Sequence, residues 1–381
     1  MREVHRQDKI PANSCLLLDS RREALEFPNG QMRLAFCPAC GFLANLGFDS
    51  ALAEYSDRYE ETQGFSPRFR EFATELATRW IDRYEIRGRR VLEIGCGKGE
   101  FLELICELGG NRGIGIDPGV HPERLGEATL RQVELVADFY DERYAHLEAD
   151  VVVCRHTLEH IAPVAEFMNL VRRGIGDRLG TVVLFELPDV LRVLNEGAFY
   201  DVYYEHCSYF SAGSLARLFR ACGFDPVDIS RAYDDQYLLI EARPAKTALA
   251  PGPPLALEDD LAEVTAGVGH FLAAREATLR FWRERIEQAV ERSGRVVLWG
   301  SGSKAVAFLA GIDLAGAVSE VVDINPFKHG KYLPGSGARI VAPEALADLH
   351  PSLVVAMNPI YREEIQRDLD RLGVATELAA V

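Results

Sequence analysis

The strongest constraint on the fold is a glycine-rich turn that directly follows an apolar run. Residues 91–94 read Val-Leu-Glu-Ile, and the turn after them places Gly95, Gly97 and Gly99 at alternate positions. Glycine at such positions lets the backbone bend sharply and approach a ligand closely. Because a helix-like stretch follows at 100–108, the pattern predicts a strand, a ligand-binding turn and a helix.

Asp117 ends the next predicted strand. A carboxylate at this point can accept hydrogen bonds from both hydroxyls of a ribose. Further strands are predicted at 149–154 and 181–187, and they alternate with helical segments. Such alternation indicates parallel β-α-β units, so the predicted fold class is α/β.

The same pattern recurs near the C-terminus. The run 295–299 is a predicted buried strand, and the turn at 300–304 reads Gly-Ser-Gly-Ser-Lys before another helix. Such a turn presents backbone N–H groups to a phosphate at a helix N-terminus. Two alternatives stay open: the unit serves packing alone, or Asp323 marks a dinucleotide site. The candidate substrate-binding residues of this unit are Gly300, Gly302, Lys304, Lys328 and Lys331.

Charge and composition exclude several classes of partner. The 381 residues carry 42 Lys and Arg against 58 Asp and Glu, a formal net charge of −16. Nucleic acid and anionic membranes are bound by clustered cations, so neither is expected as a partner. We find no apolar run long enough to span a membrane, no apolar signal-peptide core at the N-terminus, and no secreted disulfide pattern among the eight cysteines. A cytoplasmic protein is expected.

Four elements, in order, resemble the cofactor-binding core of class I S-adenosylmethionine-dependent methyltransferases. They are the alternating glycines, the acid after the second strand, an acid–aromatic pair after the third, and a polar stretch after the fourth. The resemblance implies a Rossmann-like core with S-adenosylmethionine as cofactor. The alternative is a tight turn that binds nothing. The implied cofactor-binding residues are Glu93, Gly95, Gly97, Gly99, Asp117, Asp138, Phe139, Arg155 and His156.

The polar stretch also contains His156, Glu159 and His160, whose spacing is similar to a metal-binding helix face. The trio is predicted to open a helix directly after a strand. A capping and packing role is therefore favoured over an inverted zinc-protease motif.

An aromatic segment with an acid and a histidine narrows the family. Residues 203–206 read Tyr-Tyr-Glu-His and are followed by Ser-Tyr-Phe at 208–210. Histidine is the side chain best suited to move a proton near neutral pH. Together with Phe-Glu-Leu-Pro at 185–188, the segment resembles the sugar C-methyltransferases, which act on nucleotide-linked 4-keto-deoxysugars. The resemblance implies a small nucleotide-linked substrate. The implied catalytic residues are His206 as general base, Glu205, Tyr203 and Tyr59.

The resemblance covers nearly the full length and implies three parts. These are a small β-rich zinc-binding-like module, a methyltransferase core and a second, C-terminal Rossmann-like α/β domain, which adds Asn358 to the substrate-binding candidates. A proline-rich stretch at 243–259 reads as a linker before a long amphipathic helix. The predicted divisions are residues 1–65, 66–245, 246–292 and 293–381.

Two other functions stay open at this point. The first is O- or N-methylation of another small metabolite. The second is a non-catalytic binding or scaffold protein with a vestigial core, in which residues 203–206 are only a structural loop. The sequence does not predict an oligomeric state.

The chain departs from the sugar enzymes in two places. Those enzymes carry a His-Gly-Gly stretch where this chain reads Ala-Tyr-Asp-Asp-Gln-Tyr at 232–237, so the substrate is expected to differ. They also bind zinc through two C-x-x-C pairs, because a structural zinc needs four ligands. This chain has one pair, Cys37 and Cys40, with Cys15 and His5 as further candidates away from the expected spacing. Three alternatives stay open: an incomplete or lost site is favoured over an intact one that Cys15 and His5 complete, and the start of the natural chain is a further possibility for the missing pair.

Overall fold

The computed structural model describes residues 1–246, 253–291, 294–314 and 316–381. Its strands form three sheets, of four, seven and five strands. The middle of the predicted proline-rich linker, 247–252, and the predicted boundary at 292 and 293 lie outside the described residues. Over the part of the chain described, we find no helix that combines the length and the apolar character needed to cross a membrane.

The N-terminal part is a small antiparallel sheet. Along residues 29–34, buried positions alternate with half-buried or exposed ones, as expected for a sheet with one face on the core. A fourth strand, Ser208–Tyr209, comes from the central part and pairs with its last strand, so the two parts share one sheet. The N-terminal elements are β1 (Arg2–Pro11), α1 (Arg21–Leu25), β2 (Asn29–Phe36) and β3 (Leu43–Asn45).

The central part is a seven-stranded, mostly parallel sheet with helices on both faces. Its elements are α2 (Pro67–Tyr84), β4 (Arg90–Ile94), α3 (Glu100–Gly109), β5 (Arg112–Ile116), β6 (Val133–Val136), β7 (Val151–Arg155), α4 (Val164–Ile175), β8 (Val182–Pro188), α5 (Val190–Glu196), β9 (Ser208–Tyr209), α6 (Ala212–Ala221), β10 (Phe224–Ala232) and β11 (Tyr237–Pro244). The strand order is β10-β11-β8-β7-β4-β5-β6, and only β11 runs antiparallel to its neighbours.

Local sequence explains how these elements begin and pack. Helix α2 starts where the Ser66 side chain accepts a hydrogen bond from Phe69 N and Pro67 occupies the first turn. Its fully buried Trp80 packs into the core, and the indole N–H donates to Glu241 Oε1 at 2.9 Å. Central strands such as β8 are apolar along most of their length, because helices cover both faces of a parallel sheet.

The C-terminal part repeats the α/β arrangement on a smaller, fully parallel sheet of order β14-β13-β12-β15-β16. Its elements are α7 (Leu261–Glu291), β12 (Val296–Trp299), α8 (Ser303–Ile312), β13 (Glu320–Val322), β14 (Arg339–Val341), α9 (Leu346–Leu349), β15 (Leu353–Ala356), α10 (Arg362–Leu372) and β16 (Glu377–Ala380). The α/β prediction with a Rossmann-like core is confirmed.

One hydrophobic cluster joins all three parts. It contains Phe36 from β2, Leu194 from α5, Phe271 from α7, Phe308 from α8 and Ile340 from β14, each almost completely buried. Shared burial of this kind holds the N-terminal and C-terminal parts against the central sheet.

Candidate active site

The two glycine-rich turns open onto one cleft, with a volume of about 1030 Å³. Gly95 and Gly97 line it from the central sheet, and Gly300 and Gly302 line it from the C-terminal sheet. Both turns follow the carboxyl ends of parallel strands, which is where α/β folds bind ligands. The sequence-predicted turns are thus two walls of a single site.

The first turn requires glycine at two positions. Gly95 and Gly97 have φ values of 69° and 53°, and a Cβ added to Gly95 would lie 2.0 Å from Thr157 Oγ1. Asp117 fixes the turn from the next strand, because its Oδ2 accepts from Gly97 N at 3.1 Å. Gly99 has a different place: it caps helix α3 and does not appear among the described residues that line the cleft. We therefore assign Gly99 to helix packing.

The acid–aromatic pair lies at the far edge of the cleft. Phe139 is 58% exposed, so its ring is free to cover a planar ligand. Asp138 is held within its own loop, since Tyr144 Oη donates to it at 2.7 Å and Arg143 Nη1 lies 2.7 Å away. These bonds lower the pKa of Asp138, the Tyr144 bond having the largest effect, and keep it ionised.

A buried acid organises the residues after β7. Glu186 on β8 accepts from Arg155 Nε at 2.6 Å and lies 3.0 Å from His156 Nε2. Although burial opposes ionisation, the charges of Arg155 and His156 lower the pKa of Glu186 to about 2. Burial works against His156 as well, but Glu186 and Glu159 raise the pKa of that imidazole to about 9.

Glu93 is also buried, on β4, and its Oε2 has no hydrogen-bond partner among the described residues. Burial raises the pKa of Glu93 to about 8. An acid in this state can form a hydrogen bond with a ligand group that enters the cleft.

His206 lines the cleft between two other rings. Its imidazole centre lies 4.6 Å from the ring of Tyr203 and 4.6 Å from that of His160. The side chain is 7% exposed, and burial followed by the neighbouring His160 lowers the pKa of His206 to about 3. The imidazole is therefore neutral near pH 7 in the absence of substrate.

The other predicted catalytic residues have distinct surroundings. Tyr203 Oη donates to Asp201 Oδ1 at 2.6 Å, and Tyr59 Oη donates to Glu205 Oε2 at 3.3 Å. Glu205 is 1% exposed and also accepts from Asn13 Nδ2 at 3.0 Å. Among the described residues, Tyr59 and Tyr203 line the cleft and Glu205 does not, so Glu205 is a positioning group behind it.

The trio of His156, Glu159 and His160 does not form one helix face, although His156 Nδ1 stays 3.7 Å from Glu159 Oε1. A single 3-10 turn, Leu158–His160, replaces the expected helix start, and it points His156 at Glu186 and His160 at His206. Glu159, His160 and His206 place ligand atoms within 4.8 Å of one another, a grouping that the sequence did not suggest. Both carboxylate oxygens of Glu159 are buried without a hydrogen-bond partner among the described residues.

The cysteine pair gains no further ligands. Cys37 and Cys40 lie half-buried on the turn between β2 and β3, and no third histidine, cysteine or acid of the described chain joins them. His5 is buried against the ring of Phe271, and Cys15 faces Ser303. We therefore remove His5 and Cys15 from the candidate metal ligands. Two thiols alone do not fit a structural zinc.

The lysines of the C-terminal part divide into two groups. Lys304 lines the cleft and donates to Asp201 Oδ2 at 2.9 Å, while the buried Lys328 lies 3.7 Å from Asp323. Lys331 instead pairs with Asp19 and is absent from the described lining of the cleft, because its side chain leaves the loop in another direction. We remove Lys331 from the candidate substrate site.

Asn358 closes the cleft against the central sheet. Its side chain exchanges two hydrogen bonds with Gln236, at 2.9 and 3.1 Å. Gln236 belongs to the stretch that replaces His-Gly-Gly, and this stretch folds as the turn between β10 and β11. Tyr233 in the same turn places its hydroxyl 2.7 Å from that of Tyr361.

Sequence reasoning missed several groups around His206. Tyr55 Oη lies 2.9 Å from His160 Nδ1, and Asp201 joins Tyr203, Lys304 and Arg192. The sequence indicated a candidate tyrosine, Tyr59, in the segment that contains Tyr55. The partner of Tyr55 itself, His160, lies 105 residues further along the chain. No local pattern in the sequence indicates such a contact.

Comparison with known proteins now defines the class. A methyltransferase domain model matches residues 69–229, and a C-methyltransferase C-terminal domain model matches residues 265–375. A ubiquinone biosynthesis O-methyltransferase of Pseudomonas aeruginosa is 37% identical over 107 residues, which are 26% of this chain and 45% of that protein. The fold, the cleft and these matches define an S-adenosylmethionine-dependent methyltransferase of class I.

A longer match defines the family within this class. The C-methyltransferase NovU of Streptomyces niveus is 31% identical over 295 residues, covering 73% of this chain and 68% of NovU. The chain therefore belongs to the C-methyltransferase family that includes NovU.

Solved structures are more distant. A Burkholderia thailandensis 1,6-didemethyltoxoflavin-N1-methyltransferase, solved with S-adenosylhomocysteine, is 21% identical with a TM-score of 0.37. That match covers 46% of this chain and 79% of that protein.

Proposed function

We propose that this enzyme methylates a carbon next to a ketone in a small nucleotide-linked sugar or a similar carrier-linked substrate. The observation that carries the proposal is the position of the His206 imidazole, which lines the cleft between the two glycine-rich turns beside the ring of Tyr203. Carbon methylation needs a base beside the carbon that reacts, whereas simple methyl transfer to an amine does not.

The first turn is suited to the cofactor. It offers a side-chain-free backbone at Gly95 and Gly97, the carboxylate of Asp117 and the exposed ring of Phe139. Buried polar atoms without partners among the described residues, on Glu93 and Arg155, are ready to contact a polar ligand. When bound, S-adenosylmethionine supplies an electrophilic methyl group on a sulfonium.

His206 acts as the general base in this proposal. Its imidazole accepts the proton from the carbon next to the ketone, and the electron pair of that C–H bond moves into an enolate. The imidazolium that forms lies close to the carboxylate of Glu159, which favours the charged ring. With the cofactor bound, the enolate carbon would take the methyl group as the S–CH3 bond breaks, and S-adenosylhomocysteine would be the leaving group.

A tyrosine stabilises the enolate oxygen. Tyr203 is committed to Asp201 through a bond of 2.6 Å, whereas Tyr59 makes a longer bond of 3.3 Å to Glu205. The longer bond is the easier one to exchange for a substrate oxygen. We therefore assign the role of enolate donor to Tyr59 and a positioning role to Tyr203.

The second turn is the proposed site for the nucleotide or phosphate end of the substrate. It begins helix α8, where backbone N–H groups favour an anion, and Lys304 stands in the first turn of that helix. Lys304 already pairs with Asp201, which also contacts Tyr203. This shared partner links the substrate end of the cleft to the base.

O- or N-methylation of another metabolite is the second candidate. It is favoured by the turn at 232–237, where the backbone of Tyr233, Asp234 and Asp235 has φ values of 54°, 58° and 57° in place of a glycine pair. That turn contributes the amide side chain of Gln236 to the lining of the cleft, in the stretch where the sugar enzymes carry His-Gly-Gly.

A product analysis separates the two candidates. The enzyme is incubated with methyl-labelled cofactor and a nucleotide-linked 4-keto-deoxysugar, and the product is examined by NMR. A methyl signal bonded to carbon supports the proposal. A methyl signal bonded to oxygen, or no turnover of any ketosugar while another metabolite is methylated, supports the second candidate.

A further inference from the structure

Glu61 lies directly on the first glycine-rich turn, although no motif includes it. A Cβ added to Gly97 would lie 2.3 Å from Glu61 Oε1, so the carboxylate occupies the space that the missing side chain leaves. Glu61 lines the cleft, while the segment that carries it belongs to the N-terminal part.

The two residues before Glu61 are held by contacts with other parts of the protein. Its neighbour Glu60 is 1% exposed and binds Arg124 at 2.7 Å and Asn325 at 2.8 Å. The carbonyl of Tyr59 accepts from Lys98 Nζ at 2.6 Å. The chain around Glu61 is therefore held against both the central and the C-terminal parts.

One carboxylate oxygen of Glu61 is left without a hydrogen-bond donor in the described part of the chain. Its Oε2 is buried and receives no donor from the described residues, and Lys98 Nζ lies 3.6 Å away. Lys98 donates instead to two backbone carbonyls, of Tyr59 and Gly119, at 2.6 Å each. A buried carboxylate oxygen without a donor is unfavourable, so this geometry suits a ligand that brings a cation with N–H groups.

We propose that Glu61 binds the α-ammonium group of the methionine end of S-adenosylmethionine. Glu61 lies on the same turn that the cofactor approaches, and an ammonium offers three N–H donors to the free carboxylate oxygen. The N-terminal part thereby contributes directly to the cofactor site. This inference depends on cofactor binding and not on the identity of the methyl acceptor.

The charges around Glu61 provide a second way to detect binding of the ammonium group, through the release of a proton. Burial raises the pKa of Glu61 to about 7 without ligand; Asp117 and Glu60 add to the rise, and Lys98 opposes it. An ammonium bound to the carboxylate lowers this pKa, so binding at pH 7 releases a proton from the fraction of Glu61 that is protonated. That fraction is about one half when pH equals the pKa.

The test measures the binding of S-adenosylmethionine and two analogues by calorimetry, with the wild-type enzyme and with E61Q. S-adenosylhomocysteine carries the ammonium but no sulfonium, and 5′-methylthioadenosine carries neither. We expect E61Q to bind S-adenosylhomocysteine about tenfold or more weakly. Affinity for 5′-methylthioadenosine should stay within about twofold. The matched control is E54Q, an exposed acid in the same segment that does not line the described cleft.

Each other outcome overturns the proposal. An equal loss for both ligands would make Glu61 a structural residue of the loop. A loss with S-adenosylmethionine but not with S-adenosylhomocysteine would assign it to the sulfonium. Calorimetry in two buffers of different ionisation enthalpy adds an independent readout: E61Q should release fewer protons than the wild type at pH 7, and equal release contradicts the assignment.

Discussion

The imidazole ring of His206 lies 4.6 Å from that of His160, and the two planes are nearly perpendicular, at 89°. Tyr55 holds His160 from the other side through a contact of 2.9 Å. Burial of His206, followed by the neighbouring His160, lowers the pKa of His206 to about 3 and keeps that ring neutral near pH 7. Burial of His206 therefore has the larger part in setting its protonation state, and His160 adds to the effect.

Burial of neutral histidine makes the protein sensitive to acid. Burial lowers the pKa of His5 to about 4, whereas His in an unfolded chain titrates near 6.5. The unfolded state therefore gains protons first, and stability falls as the pH drops from about 6.5 towards 4. When the pH is lowered from 7.5 to 5.5, the free energy of unfolding falls. We expect this fall to be about 1.4 kcal/mol smaller in H5Q than in the wild type.

Urea unfolding at the two pH values measures this difference. The exposed His146 provides the control, and H146Q should behave as the wild type. An H5Q protein with the full wild-type loss would show that His5 does not contribute.

Glu186 should matter far more for stability than an exposed acid. Its replacement in E186Q leaves Arg155 and His156 without their buried partner, and breaking such a pair costs about 3 kcal/mol or more. Glu142 pairs with Arg173 at the surface, and E142Q should cost less than about 1 kcal/mol. Chemical denaturation compares the two. Equal losses would contradict the structure around β7 and β8.

Lys304 and Lys331 should differ in their effect on substrate binding. K304M removes the cation at the second turn, so KM for a nucleotide-linked substrate should rise about tenfold or more, with cofactor affinity unchanged. K331M changes a lysine that pairs with Asp19 outside the described cleft lining and should leave KM within about twofold. If K304M had the KM of the wild type, the second turn would serve packing alone.

Metal removal should not reduce activity. The reaction proposed needs His206 free, and a cation held by Glu159, His160 and His206 would occupy it. A chelator should therefore leave the rate unchanged, and added zinc should inhibit.

The C37S/C40S double variant should keep wild-type activity, because two thiols make half of a structural zinc site. A stoichiometric zinc content that disappears in this variant would contradict that reading.

The sequence predicted the parts of the site that local geometry encodes. Gly95, Gly97 and Asp117 follow from the rules of a strand, a tight turn and a helix, and the structure brings them together. Contacts between distant segments had no such signal. Gln236 and Asn358 lie 122 residues apart, and nothing in either segment indicates their paired hydrogen bonds.

The sequence also did not predict the directions in which neighbouring side chains point. Lys328 and Lys331 are three residues apart on one loop, but only Lys328 faces the cleft within the described chain. Likewise, Glu205 and His206 are neighbours with opposite orientations, one towards Asn13 and the other into the cleft. The path of the backbone between elements decides these directions, and composition and spacing do not report it.

Hydrogen–deuterium exchange at the carbon next to the ketone tests the central claim most directly. In D2O, with S-adenosylhomocysteine in place of the methyl donor, the wild type should exchange the proton of a nucleotide-linked ketosugar at that carbon. H206N should lose this exchange by about a hundredfold or more while it still binds S-adenosylhomocysteine. Exchange by H206N at the wild-type rate would contradict the assignment of His206 as the base.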